Sequence, residues 1–483
     1  MAPLNTPPSA AAIAGRHRRW PGRRGCGLTS RPSRIPRLFA PVRDCTITPG
    51  ARGEGEHRDG KARRPQQSQR CTVQSRPQQG HARRPPQTEG EARGRQGQGR
   101  QEVVEEAVAL HVERLIEHIG GFDDIQGFVI EAIRAVPRHR FIPDVALAAP
   151  GDPAQPFVID READPGTWWD TVYSHCPIVT QLDDGATGIR AGAGAYTSSS
   201  SAPSTVAHLL QLLDPEPDDR VLEVGAGTGW TAALLAHLAG PYGSVTTIEI
   251  DEVVAERAAE NLAVAGAHAQ VVAGDGANGL PGRAPYDRVH VTCGVRTIPY
   301  PWIEQCRPGG VVVAPYCPGF GDDHALRLVR MPDGTAMGRF PGHASYMMMR
   351  SQRPGPCAAD DGSGLSRPTE VHPRTIGLAP PGADLAMAAI TGLYAHISRE
   401  EHRFLTYVVD PADPGRWAVA VHRRGEAEHT VYQMGDRPLW DEVTEAYFRW
   451  IGWGEPGRDR FGMTVTRDGQ HIWLDTPDHV IGG

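Results

Sequence analysis

The stretch Arg220-Val-Leu-Glu-Val-Gly-Ala-Gly-Thr-Gly229 decides the fold. Val221, Leu222 and Val224 predict a short buried strand. Gly225, Gly227 and Gly229 predict a glycine turn, and Trp230 to Leu238 a helix. A strand, a glycine turn and a helix set a backbone loop and a helix N-terminus beside a ligand. The spacing is G-x-G-x-G, not the G-x-G-x-x-G of dinucleotide sites, because position 230 is Trp. Alone, such a loop also fits an ordinary tight turn.

Two acidic residues narrow the reading. Val245 to Ile250 predicts the next strand, with Glu249 at its C-terminal end, 20 residues beyond Gly229. A carboxylate there can accept from both ribose hydroxyls of an adenosine, although a solvated strand-end carboxylate looks the same in isolation. Gln270 to Ala273 predicts a third strand, followed by Gly274-Asp275-Gly276, where Asp275 can accept from an adenine amino group. Together the three features make the pattern of an S-adenosylmethionine-dependent methyltransferase. The expected cofactor shell is Glu223, Gly225, Ala226, Gly227, Thr228, Gly229, Glu249, Ile250, Asp275 and Gly276.

Outward from this centre, residues 220–330 alternate strand and helix, which predicts an α/β, doubly wound, mostly parallel sheet of the class I methyltransferase type. A hairpin follows, turning at Asp333-Gly334. Residues 144–195 read as irregular, with Gly, Pro and Asp turns. Ahead of them, Val104, Val108, Leu115 and Ile119 share a helical face, and Asp123 or Asp124 can cap a second helix. Residues 101–350 are therefore expected to form the catalytic domain, 351–374 a linker, and 375–483 a small α+β accessory domain. In the last, Trp440 to Trp450 reads as an amphipathic helix, and Asp468-Gly469 as a hairpin turn.

Residues 1–100 hold 21 basic and 6 acidic side chains, while the whole chain carries a formal charge of −7 with a mean hydropathy of −0.40. The front is thus a basic tail on an acidic body. Rich in Arg, Pro, Gln and Gly, it cannot bury enough apolar surface to offset ordering entropy, so disorder is expected. A solvated tail, or upstream sequence not translated in the cell, is favoured over a nucleic-acid-binding arm; Val103 is one place for a non-Met start. No run of 18 apolar residues predicts a membrane span. The eight cysteines include no C-x-x-C pair, so neither a zinc site nor a disulfide framework is expected, and the context reads as cytoplasmic. No metal site, membrane partner or nucleic-acid partner is expected, and the chain is expected to be a monomer.

Three further motifs complete the set: Val136-Pro137-Arg138 with Phe141-Ile142-Pro143, Ser201-Ala202-Pro203, and Tyr286-Asp287 through Val291-Thr292. With the glycine loop, Gly274-Asp275-Gly276 and Pro308-Gly309-Gly310 to Pro315, residues 105–345 resemble protein-L-isoaspartate O-methyltransferases. The resemblance implies methylation of an isoaspartyl carboxylate, after which the next backbone nitrogen closes a succinimide. It places Ser201 as the active-site hydroxyl, where spacing alone suggests helix capping before Pro203. Two features depart from the minimal family pattern: a longer segment from Ile178 to Thr197, and residues 375–483. Both resemble family members associated with ribosomally made peptides such as lanthipeptides, which implies a specialised protein or peptide substrate bearing Asp or isoaspartate. Arg138 or His139 is a candidate to neutralise the acceptor carboxylate, or a surface residue. The competing readings are a class I methyltransferase acting on a nucleic acid or small molecule, and a peptide-binding protein with a vestigial cofactor site. Val291-Thr292-Cys293-Gly294 stands where an adenine N-methyltransferase would show Asn-Pro-Pro-Tyr or a near variant. The intact glycines and Glu249 argue against a vestigial site.

Overall fold

The computed structural model describes residues 89–121, 125–151 and 154–482. Residues 1–88, the bulk of the expected tail, and the proposed caps Asp123 and Asp124 lie outside the described residues. The first helix runs Glu89–Gly120, so the last residues assigned to the tail are helical rather than structureless. Its buried face is Val112, Leu115 and Ile119. No helix among the described residues is long and apolar enough to cross a membrane.

The frame is a ten-stranded sheet. In chain order its strands are β1 (Arg220–Val224), β2 (Ser244–Glu249), β3 (Ala269–Ala273), β4 (Tyr286–Val291) and β5 (Cys306–Tyr316). They continue as β6 (His324–Arg330), β7 (Ala336–His343), β8 (Phe461–Thr466), β9 (Gly469–Leu474) and β10 (Val480–Gly482). The spatial order is β10-β9-β8-β7-β6-β5-β4-β1-β2-β3. β3, β2, β1, β4 and β5 run parallel. From β6 outward every pairing is antiparallel. The sheet is thus the expected class I methyltransferase sheet with a long antiparallel flank.

The order reverses at β1. The chain proceeds from β1 to β2 and β3 on one side, then crosses to β4 and β5 on the other. Such a switch point opens a crevice at the carboxyl ends of the strands. In the register, Val224 lies opposite both Ile248 and Val291, so β1, β2 and β4 end level with one another. Side chains alternate across the sheet. Leu222, Val224, Val289 and Val291 enter one core, while Val221, Val245, Val311 and Val313 enter another on the opposite face.

Two parts differ from the sequence reading. Residues 144–195 are not irregular: Val145–Ala148, Phe157–Asp160 and Ile178–Leu182 join Tyr196–Ser200 in a four-stranded antiparallel sheet. The serine run lacked any β-branched or apolar alternation, yet it is a strand because it pairs with Ile178–Leu182. Ser198 and Ser200 are buried there. The boundaries at 351 and 375 also do not mark breaks in hydrogen bonding. Leu365–Thr369 is an edge strand of a five-stranded antiparallel sheet whose other members lie between Tyr394 and Met434. Its side chains are mostly exposed and it contains Pro368, which edge strands tolerate, so it reads as linker in the sequence. β8, β9 and β10 belong to the main sheet, through pairing of Ala336 with Val465 and Gly338 with Met463.

Phe461, Met463, Val465, Ile472 and Leu474 share one core with Leu222 and Val224. A chain ending at residue 455 strips that core and exposes the β7 edge. It is expected to lose its cooperative melting transition, as followed by calorimetry. A truncated chain melting within a few degrees of the full one would show that the C-terminal strands are dispensable.

Candidate active site

The glycine loop leaves β1 in backbone conformations that L side chains rarely adopt, with φ of 98° at Gly225 and 54° at Gly227. Close approach compounds the requirement. A Cβ on Gly225 would lie 2.5 Å from Thr292 Oγ1, and one on Gly227 would lie 3.0 Å from the Ser199 carbonyl. Thr292 Oγ1 donates to the carbonyl of Val224 at 3.0 Å and also contacts that of Gly225, tying the loop to the end of β4. The Gly227 N–H donates to Glu249 Oε2 at 3.0 Å. One glycine therefore touches both the β2 carboxylate and the serine strand.

Around this junction is a cavity of about 320 Å³. Its walls include Gly225, Ala226, Gly227, Thr228, Glu249, Ile250, Asp275 and Gly276, all expected cofactor residues, together with Ser199 and Ser201. Glu249 Oε1 also accepts from the Asp251 N–H at 3.2 Å, so two backbone donors hold its carboxylate in place. Asp275 Oδ1 accepts from the Ala277 N–H at 3.0 Å, and Trp302 Nε1–H donates to the Gly276 carbonyl at 2.8 Å. Ile250 is 42% exposed despite its apolar side chain, which leaves an apolar surface beside the two acids. A glycine-cradled cavity with two fixed carboxylates and an open apolar face fits the parts of S-adenosylmethionine: amino-acid end, ribose, and adenine.

Two expected shell residues stand elsewhere. Gly229 is absent from the cavity wall. Its missing Cβ admits the Ala258 carbonyl, which would be 3.1 Å from such an atom, so it serves helix packing. Glu223 is completely buried and faces the opposite side of β1 from Val224, in register with Thr247 and His290. Burial pushes its carboxyl up to about 8, moderated by the Thr247 hydroxyl and reinforced by the Glu249 charge. Burial also brings His290 down to about 4. Beneath the glycine loop, then, is a row of polar side chains that are uncharged at neutral pH.

Neither suggested cation lines the cavity; Arg138 is buried and His139 half-buried. Arg138 is 1% exposed. Its guanidinium donates to the carbonyls of Val172, Cys176, Ser200 and Ser201 at 2.9–3.1 Å and to Ser200 Oγ at 3.2 Å. Burial lowers it to about 10. It fixes the serine strand. His139 packs on Trp169, contacts Tyr173 Oη through Nδ1 at 2.6 Å, and is brought to about 4 by burial.

Ser201 is not a cap. The helix Pro203–Leu213 takes Ala202 as its N-cap, with no side-chain bond. Ser201 and Ser199 instead wall both the cavity and a second groove, lined further by Val179, Thr205, Ser345 and Tyr346. The buried Tyr346 hydroxyl lies beside the Ser201 side chain, and burial raises its pKa, so it stays a neutral donor. The hairpin from Ile178 to Ser200 is fastened over this region. Arg350 bridges Asp184 at 2.9 Å and Asp251 at 3.3 Å, Arg353 reaches Asp184 at 2.8 Å, and Gln181 donates to Asp251 at 3.2 Å. Tyr346, Met347 and Arg350 were missed by the sequence reading: they follow β7 in a segment with neither glycine pattern nor periodicity.

The family model described as Protein-L-isoaspartate(D-aspartate) O-methyltransferase matches residues 179–352, a span that holds the serine strand, the glycine loop, both carboxylates and Tyr346. A Protein-L-isoaspartate O-methyltransferase of Methanopyrus kandleri is 35% identical over 241 residues, covering 49% of this chain and 89% of that relative. One of Aeropyrum pernix is 44% identical over 142 residues, covering 29% of this chain and 54% of that protein. A solved protein-L-isoaspartate O-methyltransferase aligns with 76% of this chain and 100% of its own, at 19% identity and a TM-score of 0.44.

Arg138→Ala leaves four buried carbonyls without their donor, at about 1–3 kcal/mol for each unsatisfied group. A loss of at least about 3 kcal/mol in denaturant-measured stability is expected; a loss under 1 kcal/mol would show that the guanidinium is not the clamp. Glu223 yields a pH test. Folded, its carboxyl keeps its proton to about pH 8; unfolded, only to the ordinary 4.5. Between those values folding takes up a proton, so the stability this group contributes is full below 4.5 and is lost as pH rises through 8. Glu223→Gln should therefore gain on the parent in melting temperature from pH 5 to pH 9, by a few degrees. A constant difference across that range would refute the neutral carboxyl.

Proposed function

This chain belongs to the protein-L-isoaspartate O-methyltransferase family, and from that premise we propose how its residues divide the reaction and which acceptor they take. It is an S-adenosylmethionine-dependent methyltransferase of the isoaspartyl type. Gly225, Ala226, Gly227 and Thr228 would hold the amino-acid end of the cofactor, Glu249 the ribose hydroxyls, and Asp275 with Ile250 the adenine. Bound there, the cofactor supplies a methyl group on a positively charged sulfur.

The acceptor enters through the groove behind Ser201. That Ser199 and Ser201 wall both the groove and the cofactor cavity is the observation that carries the proposal. A carboxylate with a pKa near 4 is ionised at pH 7, so no base is needed to create the nucleophile. The chain's task is alignment. Ser201, beside the buried Tyr346 hydroxyl, would donate to one carboxylate oxygen, leaving the other to take the methyl group. So aligned by Ser201, the free carboxylate oxygen would take the methyl group that the bound cofactor supplies, and the product would be a methyl ester. The following backbone nitrogen then attacks the ester carbonyl, and methanol departs as the succinimide closes.

A constrained, ribosomally made peptide is the acceptor favoured here over random repair substrates. The support is the hairpin from Ile178 to Ser200, whose far end carries Asp184 and is locked by Arg350 and Arg353. The return strand of that hairpin is the one that carries Ser199.

Glu249→Ala should weaken S-adenosylhomocysteine binding by about 2–4 kcal/mol, since charged acceptors are lost to two hydroxyls; unchanged affinity by calorimetry would refute the ribose assignment. Ser201→Ala should lower turnover roughly 10- to 1000-fold while cofactor affinity stays within about twofold, because the lost bond acts on the acceptor. Near-normal turnover would remove Ser201 from the mechanism. For the acceptor, kcat/KM on a cyclised Asp peptide should exceed that on a linear isoaspartyl hexapeptide. The reverse order would favour repair.

A further inference from the structure

Away from the methyl-transfer cavity, three histidines converge in the five-stranded sheet. His422 lies near the end of the strand Trp417–Arg423, and His429 opens the strand His429–Met434. Val421 pairs with Thr430 and Thr369 with His429. One step further along that register puts His422 and His429 side by side. His372 comes from the turn just after the edge strand Leu365–Thr369 and caps the short helix Pro373–Gly377. One ring nitrogen from each lies within 4.8 Å of the other two. The cysteines include no C-x-x-C pair, so no metal site is expected from the sequence; sheet register and the turn assemble the three.

From this arrangement we infer that His372, His422 and His429 bind a divalent transition-metal ion of the zinc class. Nδ1 of His422 and Nδ1 of His429 are 3.3 Å apart. Two nitrogens on a tetrahedral zinc at about 2.0–2.1 Å sit about 3.3 Å from each other. The third ring centroid is 4.4 Å from that of His422 and 4.5 Å from that of His429, so a small ring rotation completes the trio. Protonated imidazoles would repel one another here. The other charges facing the group are Arg374, whose guanidinium sits over the Phe404 ring at 5.3 Å, and Glu426 on the His422 side. His372 Nδ1 now accepts from the Arg374 N–H at 3.1 Å. Ligation by this ring exchanges that cap for a coordinate bond. Three protein ligands leave the fourth position to water.

The ion acts as a staple. It fastens the turn leading into Pro373–Gly377, where the Pro373 carbonyl accepts from Thr406 Oγ1, to the hairpin formed by the two histidine strands. None of the cavity residues lies beyond Arg353, so methyl-donor binding is independent of it.

The test uses the untagged full chain, stripped with a chelator and titrated with Zn²⁺. One equivalent should bind with micromolar or tighter affinity and raise the melting temperature by several degrees, and Co²⁺ in its place should show the visible bands of a tetrahedral ion. His372→Ala and His422→Ala, both at partly exposed positions, should each weaken Zn²⁺ binding at least tenfold, while His471→Ala does not. S-adenosylhomocysteine binding should be the same with and without Zn²⁺. Binding no tighter than millimolar, or stoichiometric binding that survives both cluster variants, would leave the three rings as hydrogen-bonded imidazoles and overturn the site.

Discussion

A single buried guanidinium holds the active site in shape. Among the described residues no carboxylate contacts Arg138, and its charge is met by four backbone carbonyls and one hydroxyl. Removing a charge from water is costly unless every donor is used. Here each nitrogen has an acceptor, and the acceptors come from the end of the helix Pro165–Val172, from Cys176, and from Ser200 and Ser201 at the end of the serine strand. Arginine's rigid fork suits such a junction better than the point charge of lysine. The serines are consequently placed by a residue some sixty positions earlier in the chain, not by capping of the helix that follows them.

That placement matters because the glycine loop closes on the same strand. The Ser199 carbonyl occupies the space beside Gly227 that a side chain would take. The Gly227 N–H in turn fixes Glu249. The cavity and the second groove thus share Ser199 and Ser201, and a shift in either is felt by the other. In protein interiors packed without slack, such contacts act as alignment rather than decoration. The uncharged row of Thr247, Glu223 and His290 beneath them is consistent with this, since a charged floor would demand water in the space under the loop.

Much of this was legible in the sequence, for identifiable reasons. β1, β2 and β3 begin and end within a residue of their expected limits, because continuous apolar runs and glycine turns mark parallel strands. Glu249 and Asp275 could be named in advance because their position follows from strand ends, and both line the cavity. Glu223 was misjudged: it neighbours the loop in sequence, but strand alternation turns it to the far side of the sheet. Arg138 was misread because an arginine beside proline and histidine looks solvent-facing, and its four partners are invisible in one dimension. The strands Tyr196–Ser200 and Leu365–Thr369 carry no apolar alternation and exist through pairing alone. The return of Phe461–Gly482 to the main sheet depends on contacts more than a hundred residues apart, which local patterning cannot report.

The central claim, that this cavity delivers a methyl group to a peptide carboxylate, is met most directly by the chemistry of the product. An isoaspartyl peptide is incubated with the enzyme and trideuteromethyl-labelled S-adenosylmethionine, then followed by mass spectrometry before and after brief alkali. The account predicts label on the isoaspartyl residue alone, lost in alkali as a methyl ester must be, with succinimide appearing as the ester declines. Label that survives alkali, or equal label on a peptide whose isoaspartyl carboxylate is replaced by an amide, would contradict it.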